Sequence, residues 1–163
     1  KVEPSPNGFG HVMAVYFDDQ LSAHTTSDNT FIECDIAVFI GGGRRHVVRD
    51  NYFHNNLYAV HVDDRGLNWE RAFADPNGPL VHELQRLRYQ QPPWSRHYPE
   101  LVGIVHDRLG TPAYNRVFGN RWCCLHNHSQ CKGFLDVPER NLTEWASEAH
   151  NNTMHCSQGL QDA

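Results

Sequence analysis

Two aspartates stand where acid–base chemistry would need them. Asp18 follows the segment Ala14-Val15-Tyr16-Phe17, and Asp63 follows Ala59-Val60-His61-Val62; each is doubled by a second carboxylate, Asp19 and Asp64. Paired carboxylates hydrolyse glycosides. In inverting enzymes one protonates the leaving oxygen and the other activates water, at about 6.5–9.5 Å from each other. Between the two segments lies Ala37-Val38-Phe39-Ile40-Gly41-Gly42, so three copies align at offsets of 23 and 22 residues. Stacked as parallel strands about 4.8 Å apart, they place Asp18, Gly41 and Asp63 in one outward column, with the carboxylates about 9.5 Å apart. The sequence leaves open which is acid and which is base. Tyr16, Phe39 and His61 form the neighbouring outward column. The rings of Tyr16 and Phe39 suit the face of a sugar, while His61, Arg44 and Arg65 suit its hydroxyls or a uronate carboxylate. Gly41, Gly42 and Gly43 would keep the floor of such a site open.

The same residues support other chemistry. Asp-Asp at a strand end is also turn chemistry, in which the carboxylate accepts backbone N–H groups. A run of glycines also permits a bend. Arg44 and Arg65 equally suit ion pairs with Asp19 and Asp64. The set Asp18, Asp19, Asp63, Asp64 and Arg65 also matches a calcium-dependent polysaccharide lyase, which wants clustered carboxylates and a basic side chain. His126 and His128 flank a sequon between Cys124 and Cys131, where disulfide formation and a glycan compete with zinc. No metal and no cofactor are therefore expected.

The elements that must position these residues are strands. Apolar residues alternate with period two in all three copies, the pattern of half-buried strands. A second landmark repeats with them: Asp28-Asn29-Thr30-Phe31 matches Asp50-Asn51-Tyr52-Phe53, 22 residues on, and Gly119-Asn120-Arg121-Trp122 is a fainter copy. The period predicts an all-β, right-handed parallel β-helix of about four coils, each about 22 residues, with Asn29, Asn51 and Asn120 stacked as an internal amide ladder. Residues 66–113 interrupt it as a partly helical insertion between the third and fourth coils. Leu80, Val81, Leu84 and Leu87 keep helical spacing after Pro79, and a second helical turn is expected around Leu101–Leu109. Residues 1–125 thus hold the coils and insertion. Residues 126–163 are expected to be a Cys-rich, glycosylated C-terminal cap with a short helix near Leu142–His150.

Composition narrows the class further. With 14 Lys+Arg against 19 Asp+Glu in 163 residues the net charge is −5, which supplies no basic field for a nucleic acid. No apolar run approaches the roughly 18 residues of a membrane span. Five cysteines, Cys34, Cys123, Cys124, Cys131 and Cys156, form no recognised zinc spacing, and sequons stand at Asn127, Asn141 and Asn151. Disulfides and N-glycans in one chain point to a secreted protein, already processed, since Lys1 opens no signal peptide. The odd cysteine and the absence of a cap before Val12 predict a partner. A second chain or fragment would supply the N-terminal coils, this chain being the C-terminal portion of a larger solenoid.

These residues carry a resemblance. The runs Phe17-Asp18-Asp19, Ala37 through Arg44, and Ala59 through Trp69, with Trp94 and Tyr98-Pro99-Glu100-Leu101, resemble the C-terminal part of right-handed parallel β-helix (pectate-lyase-like) proteins widespread in bacteria. The likeness spans roughly residues 8–122. That group includes glycoside hydrolases similar to α-L-fucosidases that act on plant polysaccharides, so the resemblance implies a carbohydrate-active chain. Two features depart from the pattern: the Cys-rich tail, and Gln20 where a glycine commonly follows the Asp pair. They leave a second class in view, a non-catalytic extracellular glycoprotein subunit that keeps the scaffold to bind or to build.

Overall fold

A computed structural model describes residues 12–125, 131–137 and 148–156. The sequons at Asn127 and Asn141, together with His126 and His128, lie outside the described residues. The chain divides into two compact units, Lys1–Asp63 with Pro112–Ala163, and Asp64–Thr111.

In the first unit the chain passes repeatedly through three sheets, leaving one short strand in each. The first sheet runs β1 (Met13–Phe17), β4 (Ile36–Gly41), β7 (Tyr58–Asp63), β10 (Gly133–Asp136). The second holds β2 (Thr25–Ser27), β5 (Val47–Arg49), β8 (Arg116–Phe118) and β11 (Glu148–His150), and the third β3 (Thr30–Ile32), β6 (Tyr52–His54), β9 (Arg121–Cys123) and β12 (Thr153–Met154). Neighbours in all three pair in parallel. Because parallel register sets like over like, Val15, Val38, Val60 and Leu135 share one inward column. Phe31, Phe53 and Trp122 share another, in which the Phe31 and Phe53 rings stack at 5.2 Å. Val38, Ile40, Val48, Val60, Val62 and Val117 are fully buried between the sheets, the β-branched filling such strands favour.

The second unit is helical. Arg65–Leu67 and Pro99–His106 are 3-10 turns, α1 spans Pro79–Arg86 with proline in its first turn, and α2 spans Trp94–His97. Gly66 and Gly110 approach so closely that a Cβ on Gly66 would sit 2.4 Å from the Gly110 carbonyl oxygen. No helix among the described residues is long and apolar enough to cross a membrane.

This architecture corrects the expected all-β, right-handed parallel β-helix of four 22-residue coils with a Cys-rich cap. The chain is mostly β, with a separate helical unit, and three parallel four-stranded sheets. The 22-residue spacing holds only where passes are uninterrupted. Residues 64–111 fall inside the third pass, between β7 and β8, so Asn120 belongs to that pass and pairs with Asn51 at a separation of 69 residues. The fourth strand of each sheet comes from the stretch assigned to the cap: β10 pairs with β7, β11 with β8 and β12 with β9. Glu148–His150 is strand, not helix.

Two disulfides tie this last pass down. Cys123 bonds Cys156 across 33 residues and Cys124 bonds Cys131 across 7. Closing the longer loop contributes about 4 kcal/mol in the chain-entropy account. Cys34 is outside both bonds and half-buried against the core. Burial, and then the neighbouring Asp35 carboxylate, push its thiol pKa up, which disfavours the reactive thiolate.

The corners are held by amides. Asn29 donates its backbone N–H to Asn51 Oδ1 at 3.0 Å, Asn51 donates to Asn120 Oδ1 at 3.0 Å, and Asn120 to Asn152 Oδ1 at 3.1 Å. Each side-chain Nδ2 also bonds the next Oδ1, at 3.2, 3.1 and 2.9 Å. The ladder thus includes a fourth member, Asn152, within the Asn151 sequon. Asn51 is 1% exposed and its Nδ2 further bonds the carbonyls of Thr26 and Arg49. Replacing Asn51 by Leu strands these donors and acceptors; the expected cost is about 3 kcal/mol in urea unfolding, against under about 1 kcal/mol for Asn29→Ala at the exposed end.

Candidate functional site

The outer face of the first sheet is organised by register. Tyr16 pairs with Phe39, Phe39 with His61, and His61 with Asp136, one residue from each strand. Phe39 is central: Tyr16 meets it edge-on at 4.6 Å, and the His61 ring stacks on it at 4.9 Å with planes 27° apart. Tyr16 is 48% exposed while Phe39 is buried at 7%, so the ring available to a ligand is Tyr16, with Phe39 as its support. The imidazole is gripped on its other side, where His61 Nδ1 lies 2.7 Å from Asp136 Oδ2. A carboxylate oxygen accepts, so Nδ1 carries the hydrogen and Nε2 is left for other partners.

One step along the same face, Gly41 pairs with Asp63, while Asp18 follows the end of β1, whose register with β4 runs as far as Phe17 and Ile40. Asp18 is exposed, and its Oδ1 accepts the N–H of Asp19 at 2.9 Å. Asp19 and Gln20 both take left-handed backbone conformations, and Leu21 N–H closes the turn on the Asp18 carbonyl at 2.8 Å. Asp18 therefore serves as a turn residue whatever else it does. Asp63, at the end of β7, is partly buried. Arg44 is buried at 7%; Arg65, at 2%, belongs to the helical unit, where it lies over the Trp69 ring at 5.3 Å. Neither guanidinium is presented as an open ligand for a sugar.

The floor beside this face is closed rather than open. A Cβ on Gly43 would lie 2.0 Å from the Leu21 carbonyl oxygen and 2.6 Å from His46 Nε2, so glycine is required for close approach. His46 is fully buried, stacks on Phe17 at 4.5 Å and donates from Nε2 to the Leu21 carbonyl at 2.7 Å. Its Nδ1 has no hydrogen-bond partner among the described residues. Burial lowers its pKa from 6.5 to about 4; the Leu21 bond opposes the shift, and His24 acts both ways, its charge lowering the value and its backbone raising it.

Sequence reasoning missed Asp136. Its strand, Gly133–Asp136, repeats none of the earlier copies; the one signal was an apolar pair, Phe134-Leu135, bounded by Gly133 and Pro138. Among the described residues, no group of three His, Cys, Asp or Glu side chains converges as a metal site. Compared with protein-family models, with curated proteins and with solved structures, the chain finds no match in any of the three.

The buried ring carries a pH signature. The unfolded chain protonates this histidine near pH 6.5, the native chain only near pH 4. Stability from the neutral ring is thus complete above pH 6.5 and lost as pH falls towards 4. Its share between pH 7 and pH 4.5 is about 2 kcal/mol, and His46→Phe is expected to remove that share from the difference in urea midpoints at the two pH values.

Proposed function

We propose that this chain is a secreted, carbohydrate-active protein that binds a glycan along the outer face of the first sheet and hydrolyses a glycosidic bond there. The observation that carries the reading is the adjacency of two columns: Tyr16, Phe39 and His61 beside Gly41 and Asp63. A ring stacked on rings suits the apolar face of a sugar, and a carboxylate one step away suits its glycosidic oxygen. Asp63 acts with a second carboxylate of this face, for which the sequence offers Asp18. The resemblance to α-L-fucosidase-type hydrolases supplies the first substrate class to test, an α-L-fucoside.

Two disulfides accord with an oxidising compartment. Asn151 is exposed at a corner and would carry a glycan, whereas Asn152 beside it is committed to the ladder. A second chain pairing along β1, β2 and β3, the end strands of the three sheets among the described residues, belongs to the same reading.

The test is hydrolysis of a panel of aryl α- and β-glycosides of fucose, xylose and galacturonate by the wild-type chain, Asp63→Asn and Tyr16→Ala. Asp63→Asn should lose at least about 100-fold in kcat, and Tyr16→Ala should raise KM with a smaller change in kcat. Turnover unchanged in Asp63→Asn, or no turnover by the wild-type chain, removes the hydrolase reading. In the latter case, glycan binding abolished by Tyr16→Ala would place the chain in the non-catalytic class that the ring column also fits.

A further inference from the structure

We propose that Asp136, rather than Asp18, is the carboxylate that works with Asp63, and that His61 is the residue that positions it; the proposal rests on the glycosidase reading above. Three observations separate the two candidates. The first is distance. Asp18 follows the end of β1, two strands from Asp63, so even in the column that the repeat predicts it would be about 9.5 Å away at ordinary strand spacing, the upper limit for an inverting pair. Asp136 lies one strand across from His61, which is two residues before Asp63 on β7. At ordinary strand spacing that diagonal is about 8 Å between backbone positions, which matches the carboxyl separation that admits a sugar and a water.

The second is what each carboxylate already does. Asp18 Oδ1 takes a backbone N–H within its own turn. Asp136 takes its bond from a side chain of the neighbouring strand, His61 Nδ1 at 2.7 Å, through Oδ2, which leaves Oδ1 for a water. The third is how firmly the partner is held. The imidazole is fixed by Phe39 stacked on its face and by its place in the column, while Asp136 stays accessible, its side chain 37% exposed against 22% for His61. An N–H donor aimed at the carboxylate matches the acceptor-only form that a general base needs.

The step balances without a co-reactant. A water oxygen forms the bond to the anomeric carbon as its proton passes to Asp136. The bond from that carbon to the leaving oxygen breaks, its electron pair stays on oxygen, and the proton of Asp63 joins it. The product therefore has inverted anomeric configuration.

The experiment uses the aryl glycoside cleaved fastest in the panel, its 2,4-dinitrophenyl analogue and the methyl glycoside of the same sugar. Asp136→Asn keeps an acceptor for His61 and is expected to lose at least about 100-fold in kcat on all three, as removal of a base does. Asp63→Asn should lose as much on the methyl glycoside and less than about 10-fold on the dinitrophenyl one, whose leaving group needs no acid. Asp18→Asn should lose less than Asp136→Asn on all three. His61→Gln should lower kcat about 10-fold and move the acid limb of the kcat/KM pH profile, which a purely structural role would leave in place. If folded Asp136→Asn stays within threefold while Asp18→Asn is inactive, the assignment is overturned and the hydrolase reading survives with Asp18. If the wild-type chain cleaves none of the probes, the hydrolase reading itself falls, and this inference with it.

Discussion

Where a chain turns out of a parallel sheet it exposes N–H and C=O groups that no strand neighbour can satisfy, and a buried corner must satisfy them with side chains. Asparagine meets that demand because one short side chain offers an acceptor and two donors. At Asn51 the acceptor takes both nitrogens of Asn29, while the donors reach Thr26, Arg49 and Asn120. The bonds run from one pass to the next, so they set the vertical register of the chain as well as closing the corner. Other corners use the same device: Asn56 accepts from the Cys34 N–H at 2.8 Å, and Asn115 from the His46 N–H at 3.0 Å.

Once register is set, every column inherits it. Inward columns become continuous stacks of valine, isoleucine and phenylalanine, and outward columns become rows of whatever the sequence places at that phase. On the first sheet the row changes character along its length, from phenol to phenyl to imidazole to carboxylate. Each member constrains the next: Phe39 supports Tyr16 and seats His61, and His61 orients Asp136. A one-residue slip in any strand would turn its side chains to the opposite face and break the row. The ladder and the candidate site are thus two consequences of one geometric constraint.

The fourth pass shows how that constraint acts when the repeat is weak. Gly133–Asp136 and Thr153–Met154 have little of the β-branched character of β4 or β7, yet they pair in register. Asn152 docks on Asn120, and the Cys123–Cys156 bond closes the same edge covalently. Local propensity is replaced there by a cross-link and an amide, which restrict the chain without requiring it to be a good strand by itself.

Much of this could be read from residues alone, and for a physical reason. Period-two alternation and a repeat of 22–23 residues are properties of neighbouring passes, so β1, β4 and β7, the Asn29–Asn51 contact and the pairing of Gly41 with Asp63 were legible, as was the helix after Pro79. What lay beyond the reach of the pattern was set by long-range pairing. The helical unit of residues 64–111 stretches one pass until its repeat partner is 69 residues away, and β10 joins β7 at 75 residues without any matching motif. Burial was likewise a tertiary outcome: Phe39 and Arg44 carry the residue types of a binding face, yet packing closes over both. Asp136 reached that face only because strand pairing, which reads backbone hydrogen bonds rather than side-chain identity, laid an unrelated segment beside His61.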